Sequence, residues 1–174
     1  MVETVDARSW LLTQVIRPAL GLLDQSLRTR PAEAMLLAIA LQESGIRDRV
    51  QRQAGVREWW QSEGPARGWW QFERDGGVAG VLRLSKTRLV VAPVLDLLRY
   101  PPQPAIIHDA LAHNDTLACV MARALLVSVP QPLPGPAAPG EAWRQYLWAW
   151  RPGKPHPATW DGFYAAAWAA VDGN

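Results

Sequence analysis

The residue with the clearest chemical potential is Glu43, which follows a long apolar stretch. Residues 31–41 read Pro-Ala-Glu-Ala-Met-Leu-Leu-Ala-Ile-Ala-Leu and predict a helix that begins with proline and is buried on all sides. At the C-terminal end of such a helix, apolar surroundings and the helix dipole both disfavour a charged carboxylate. A carboxyl group that stays protonated near neutral pH suits a general acid for glycosidic cleavage. The alternative is a solvated glutamate at a helix end.

A second segment, residues 64–73, reads Gly-Pro-Ala-Arg-Gly-Trp-Trp-Gln-Phe-Glu, and Asp75 follows shortly after. Gly68 permits close backbone approach, and indole rings stack against the apolar faces of sugars. Because neighbouring side chains cannot share one face, we expect one of Trp69 and Trp70 to face a cleft and the other the core. The candidate saccharide contacts are Gly68, Trp69, Trp70, Gln71, Phe72 and Asp75.

Together the two segments resemble the lysozyme-like superfamily, specifically the soluble lytic transglycosylases and goose-type lysozymes. In those proteins a catalytic Glu-Ser ends a buried helix, and a Gly-Leu-Met-Gln-(Ile/Val) strip, continued by Asp in the goose type, lines the saccharide cleft. Glu43-Ser44 matches the first motif, and residues 68–73 match the second with Trp69-Trp70 in place of Leu-Met. The resemblance covers residues 31–80. It implies that Glu43 is catalytic, that Ser44 belongs to the substrate site and that Glu73 occupies the place of the goose-type acid.

The resemblance also implies a reaction and a fold. The reaction would cut the bond between N-acetylmuramic acid and N-acetylglucosamine in peptidoglycan. If Glu73 or Asp75 holds a water or stabilises positive charge, hydrolysis follows; if neither does, the substrate's 6-hydroxyl closes to an anhydro sugar. The family's third motif, Ala-Tyr-Asn-x-Gly, has no clean counterpart, although Tyr146 supplies a tyrosine. The implied fold is a compact, mainly α, lysozyme-like domain with at most a small strand pair lining the cleft.

Hydrophobic periodicity predicts the elements that position these residues. A strand pair is expected around residues 66–75, and five prolines in residues 130–140 predict a surface loop. With 174 residues, 49% of them hydrophobic, the chain is expected to form one domain over residues 1–174. The helices are expected at 5–27 with a bend or restart at Pro18, 31–43, 46–53, 77–84, 87–98 (or a strand at 87–91), 105–113, 115–127, 141–150 and 159–171.

Tryptophan is frequent, with ten residues in the chain. One group, Trp59, Trp60, Trp69 and Trp70, surrounds the candidate cleft. The other group near the C-terminus consists of Trp143, Trp148, Trp150, Trp160 and Trp168. For this second group, the helical spacing of Trp143 with Trp150 and of Trp160 with Trp168 favours core packing over sugar binding.

Composition limits the partners and cofactors. Charged residues make up 20% of the chain and the net charge is +2, so nothing demands a nucleic-acid or membrane partner. The single cysteine, Cys119, is expected to pack as a small hydrophobe. His108 and His113 are five residues apart, which misses the same-face spacing of a helical metal pair. We therefore expect no metal, no cofactor and no membrane span; the resemblance implies a peptidoglycan glycan strand as the partner.

The residues from Met1 to Asp6 carry acids where a secretory signal carries bases. The expected protein is made in the cytoplasm without a signal peptide. It would act on the cell wall after release by lysis or as part of a bacteriophage particle, where other virion proteins would be partners.

Two other functions are weighed against wall cleavage. The first is a non-enzymatic phage virion or tail protein that retains a lysozyme-like fold. The second is a helical nucleic-acid binder that uses Arg47, Arg49, Arg52 and Arg57. The interruption of this basic run by Asp48 and Glu58, together with the low net charge, disfavours it.

Overall fold

The computed structural model describes residues 6–51 and 64–173. These residues are mainly α-helical and include a two-stranded antiparallel sheet, so the predicted mainly α class with a small strand pair is confirmed. The helices are α1 (Ala7–Leu11), α2 (Arg17–Leu20), α3 (Arg30–Ser44), α4 (Ala79–Arg83), α5 (Ser85–Leu98), α6 (Pro104–Ala110), α7 (Asp115–Val127), α8 (Pro139–Trp150) and α9 (Pro157–Gly173). The strands are β1 (Ala66–Arg67) and β2 (Phe72–Glu73).

Short non-α turns connect several of these elements. A π-helical turn, Leu12–Ile16, joins α1 to α2, and a second, Arg74–Val78, joins β2 to α4. A short 3₁₀ helix, Gln25–Leu27, precedes α3. Pro18 falls in the first turn of α2, where its missing N–H costs little. The predicted bend or restart at Pro18 corresponds to this change from π to α geometry rather than to a break, because Leu12, Ile16 and Arg17 all keep right-handed helical angles. The helix ends at Leu20 rather than at residue 27.

Helix α3 lies at the centre of the core. Thr29 caps its N-terminus by accepting a hydrogen bond from the Ala32 amide. Residues 34–40 are all fully buried, because α9 packs along α3 while α7 and the first π-helical turn cover other sides. A helix that is apolar all round has no face for solvent. The prediction of a buried helix leading to Glu43 is confirmed.

The chain leaves α3 through two residues in the left-handed region. Gly45 has a φ of 60° and its amide donates to the Leu41 carbonyl, and Ile46 has a φ of 55°. Residues 46–51 then run beside β1, where the Gln51 amide donates to the Ala66 carbonyl at 3.2 Å. The predicted helix at 46–53 is wrong for residues 46–51, because the left-handed turn and this pairing exclude it. Residues 52 and 53 lie outside the described part.

Strands β1 and β2 form a short hairpin in which Arg67 is paired with Phe72. Gly68 opens the connecting turn with a φ of 74°. A Cβ atom at this position would lie 3.0 Å from the Leu111 carbonyl oxygen, so both the backbone angle and the space require glycine. The hairpin is thereby packed against α6 and α7, and β2 leads directly to the polar residues that follow it.

The remaining helices agree with the sequence within a few residues. Val91, Val94 and Leu95 are buried on one face of α5, so the helical option at 87–91 is correct and the strand option is wrong. Asn114 caps α7 by accepting from the Leu117 amide at 2.9 Å. The predicted proline-rich loop is present over residues 130–138, and the Tyr164 hydroxyl donates to its Pro134 carbonyl at 2.9 Å.

Candidate functional site

Glu43 lies in the last turn of α3, half-buried, on the wall of a cleft with a volume of about 1130 Å³. The opposite wall is built by β2 and the π-helical turn after it, and a third side by the end of α8 and the loop that follows. Predicted site residues that line the cleft are Glu43, Gln71, Phe72, Glu73, Asp75 and Tyr146. The structure therefore brings both sequence motifs and Tyr146 to one cavity.

The carboxyl group of Glu43 is held in conditions that favour its protonated form. Burial raises its pKa to about 7; the Tyr146 hydrogen bond opposes this rise, and the negative charge of Glu73 adds to it. The Tyr146 hydroxyl donates to Glu43 Oε1 at 2.6 Å. A carboxyl group with such a pKa gives up or takes a proton near neutral pH. The arrangement is suited to general acid and base chemistry.

Tyr146 is held in place by a column of stacked aromatic rings. Its ring lies 5.2 Å from that of Trp160 with an interplanar angle of 17°, and 6.2 Å from that of Trp150. Burial, followed by the charge of Glu43, raises the pKa of the Tyr146 phenol above its ordinary value. The phenol therefore keeps its proton and serves as a fixed hydrogen-bond donor to Glu43.

The opposite wall carries exposed acidic groups. Glu73 and Asp75 are both exposed, and the Asp75 carboxylate accepts from the Arg74 guanidinium at 3.0 and 3.1 Å. The Arg74 hydrogen bond, assisted by the Arg74 charge, holds the pKa of Asp75 below its ordinary value. Asp75 therefore stays negatively charged, and the cleft contains a protonatable carboxyl on one wall and exposed acids on the other.

Neither Trp69 nor Trp70 lines the cleft, so the expectation that one of them does is wrong. Trp70 is fully buried and its indole N–H donates to the Leu36 carbonyl at 2.9 Å. Trp69 is also buried, with the Arg49 guanidinium 4.2 Å above its ring. Both lie in the turn between β1 and β2, where positive φ angles at Gly68 and Gln71 break the alternation of side chains expected of a strand. Both indoles therefore enter the core.

Ser44 and Gly68 do not line the cleft, contrary to expectation; Ser44 instead lines a second, smaller pocket between the end of α3 and the beginning of α9. The Ser44 hydroxyl lies 2.8 Å from the Trp69 carbonyl oxygen and 3.0 Å from that of Ala40, so it ties the end of α3 to the hairpin turn. Gly68 serves packing, as described above. Phe72 is buried, yet the edge of the cleft includes it, and its ring lies 6.0 Å from that of Trp150.

Two C-terminal tryptophans belong to the cleft, which the sequence did not predict. Trp160 and Trp168 are buried, as expected, but Trp148 is 55% exposed and lines the cleft together with half-buried Trp150. Trp143, Tyr146 and Trp150 recur every three or four residues along the inner face of α8, and Trp148 is out of phase with them. This helical phase was the feature of the sequence that could have predicted an exposed Trp148. Trp59, Trp60, Arg52 and Arg57 lie outside the described residues.

The fold and the cleft together define a mainly helical protein with a protonatable glutamate in an open groove. No protein-family model, no curated protein and no solved structure matches this chain. Within residues 6–51 and 64–173, no helix has the length and apolar character needed to cross a membrane. The same residues include no group of three or more His, Cys, Asp or Glu placed to hold a metal ion. Cys119 is buried, and burial raises the pKa of its thiol.

Proposed function

We propose that the protein cleaves peptidoglycan glycan strands between N-acetylmuramic acid and N-acetylglucosamine, with Glu43 as the general acid. The observation that carries the proposal is the Glu43 carboxyl, half-buried on the wall of an open cleft, with a pKa raised to about 7. Glycoside cleavage needs a carboxyl group that is protonated at working pH and reaches a groove large enough for a sugar chain. The resemblance of Glu43-Ser44 and residues 68–73 to the lysozyme-like motifs adds support.

In the proposed reaction, Glu43 transfers its proton to the glycosidic oxygen as the bond to the sugar breaks. The resulting Glu43 carboxylate is stabilised by the hydrogen bond from the Tyr146 hydroxyl. The carboxylate then takes a proton back, either from a water or from the substrate's own 6-hydroxyl. A water held by Glu73 or Asp75 gives hydrolysis, whereas attack by the 6-hydroxyl gives an anhydro sugar.

The aromatic residues of the cleft support a sugar ligand. The indole of Trp148 is more than half exposed, and an exposed aromatic face suits the apolar face of a pyranose ring. Trp150 and Phe72 provide an apolar edge beside it. In this proposal, these residues take the role that was expected of Trp69 and Trp70.

An enzyme that cleaves peptidoglycan must reach the cell wall. We propose that it reaches the wall after lysis or within a bacteriophage particle.

The test is Glu43→Gln against purified peptidoglycan, followed by turbidity and by mass spectrometry of the released sugars. The substitution preserves shape and removes only the ionisable group, so we expect activity to fall by about 10²- to 10⁴-fold or more. Glu141→Gln is the matched control, because it makes the same exchange of glutamate for glutamine at a residue that does not line the cleft. Reducing ends among the products would assign hydrolysis, and anhydro ends transglycosylation.

Retained activity in a folded Glu43→Gln variant, checked by circular dichroism, would refute the role of Glu43. A folded wild-type protein with no activity on any peptidoglycan would instead favour the non-enzymatic virion protein.

A further inference from the structure

We propose that a second pocket, beside the cleft, binds the peptide that substitutes the muramic acid residues of the glycan strand, through the free carboxylates of that peptide. This inference rests on the proposed function. The pocket has a volume of about 530 Å³ and lies between the C-terminal end of α3 and the beginning of α9. A short peptide branch, rather than the glycan itself, is the occupant that its position and charge favour.

The pocket lies next to the cleft. Gln42 and His156 line both cavities, and Gln42 immediately precedes Glu43. The Gln42 side chain is held at this boundary, because its amide nitrogen donates to the His156 carbonyl at 3.1 Å and its amide oxygen accepts from the Thr159 hydroxyl at 3.1 Å. A sugar bound next to Glu43 would therefore place its substituent near the pocket.

The lining of the pocket combines an apolar wall with one cation. Leu41, Pro157 and Phe163 form apolar surface, and Arg47 stands at the rim. The Arg47 side chain is exposed and forms no ion pair with any described residue. Guanidinium groups bind carboxylates through paired hydrogen bonds. A peptide with small apolar side chains and free carboxylates satisfies both parts of the lining.

The charges of the two cavities differ. The cleft is lined by three acids, Glu43, Glu73 and Asp75, and by three bases, Arg83, Arg151 and Lys154, whereas the pocket is lined by Arg47 and none of its described lining residues is acidic. A carboxylate that binds beside Arg47 therefore meets no acidic neighbour in the pocket. The uncharged sugars suit the mixed lining of the cleft, and the anionic branch suits the pocket.

The experiment measures binding in the inactive Glu43→Gln background, so that ligands are not consumed. Short glycan strands with intact peptides and the same strands with peptides removed are titrated by calorimetry or NMR. We expect the peptide-bearing strand to bind about fivefold more tightly, which corresponds to about 1 kcal/mol, the upper value for an ion pair with an exposed guanidinium. Adding Arg47→Gln should remove this difference without weakening the stripped strand.

Two further variants test the location. Ala158→Glu places a negative charge on an exposed position of the pocket wall and should weaken the peptide-bearing strand alone. Arg88→Gln removes the same charge as Arg47→Gln from an exposed site on α5, outside both cavities, and should leave the difference in affinity intact.

The outcomes separate this inference from the proposed function. Equal affinities for the two strands, or an Arg47→Gln variant that keeps the difference, would overturn the peptide site, while cleavage of stripped strands by the wild type would still support the enzyme. If neither strand binds and the wild type is inactive, both proposals are overturned.

Discussion

The two walls of the cleft carry the same functional group in opposite conditions. Glu43, half-buried at the end of α3, has its pKa raised to about 7, and burial is the main cause. Asp75, on the other wall, has an 82% exposed side chain, and the Arg74 hydrogen bond lowers its pKa. The difference shows how one chain makes a proton donor and a permanent negative charge from two carboxylic acids facing one cavity.

The elements that carry the two groups explain the contrast. Glu43 lies in the last turn of a helix whose residues 34–40 are fully buried, so this turn is held against the core and is partly buried. Residues 73–76 are exposed, because β2 is only two residues long and leads directly to the surface. The environment of each acid therefore depends on the element that carries it. The separate contributions to the pKa of Glu43 can each be tested by a substitution.

The largest effect expected is that of burial, and it predicts a pH-dependent difference in stability between the wild type and Glu43→Gln. The folded protein holds the Glu43 proton up to a pKa of about 7, above the unfolded value. Proton binding therefore stabilises the wild type fully below the unfolded pKa, and this contribution is lost as the pH rises through about 7. Relative to Glu43→Gln, the wild type should lose at most about 3 kcal/mol of unfolding free energy between pH 4 and pH 8.

Urea denaturation of both proteins across this pH range measures the difference. Glutamine carries no titrating group, so subtracting its curve isolates Glu43 from every other acid. Parallel pH curves would show that burial does not disfavour the Glu43 carboxylate.

The second contribution to the pKa of Glu43 is the hydrogen bond from Tyr146, which lowers the pKa, whereas burial raises it. Tyr146→Phe removes a donor to the Glu43 carboxylate, so the pKa of Glu43 should rise and the alkaline limb of the activity profile should move to higher pH. Turnover at the optimum should fall about tenfold, because a hydrogen bond to the charged form that develops during proton transfer is lost.

Tyr164→Phe is the matched control for that experiment. Tyr164 belongs to the same aromatic column, with its ring 5.9 Å from that of Trp160, but its hydroxyl donates to Pro134 rather than to Glu43. It should leave the pH profile in place. An unchanged profile in Tyr146→Phe would remove Tyr146 from the proton-transfer site.

The partial burial of Glu43 could be predicted from the sequence, because it depends on the residues that immediately precede Glu43. Eleven residues ending at Leu41 determine that the helix is buried, and the left-handed cap at Gly45 ends it where the sequence indicates. The hairpin around residues 66–75 was also predictable, since Gly68 opens its turn and Gly76 and Gly77 follow β2. These features depend on short-range pattern alone.

The rest of the site depends on contacts that no local pattern encodes. The hydrogen bond from Tyr146 to Glu43 joins residues separated by 103 positions. Trp70 enters the core because the Leu36 carbonyl, on another element, accepts its N–H. Trp148 reaches the cleft because α8 turns its inner face towards Trp160, leaving the out-of-phase tryptophan exposed. Tertiary packing therefore determines which tryptophans are exposed to solvent.

The smallest effect expected comes from the opposite wall and has the opposite sign to that of Tyr146. The negative charge of Glu73 contributes the least of the three causes to the pKa of Glu43 and raises it. Glu73→Gln should therefore move the alkaline limb to slightly lower pH, whereas Asp75→Asn should leave it in place, since Asp75 is not among the causes of the shift. The measurement is the pH dependence of kcat/KM, which reports the ionisation of the free enzyme. If Asp75→Asn moves the limb and Glu73→Gln does not, the electrostatic partner of Glu43 across the cleft is Asp75, and any water bound for hydrolysis would be held there.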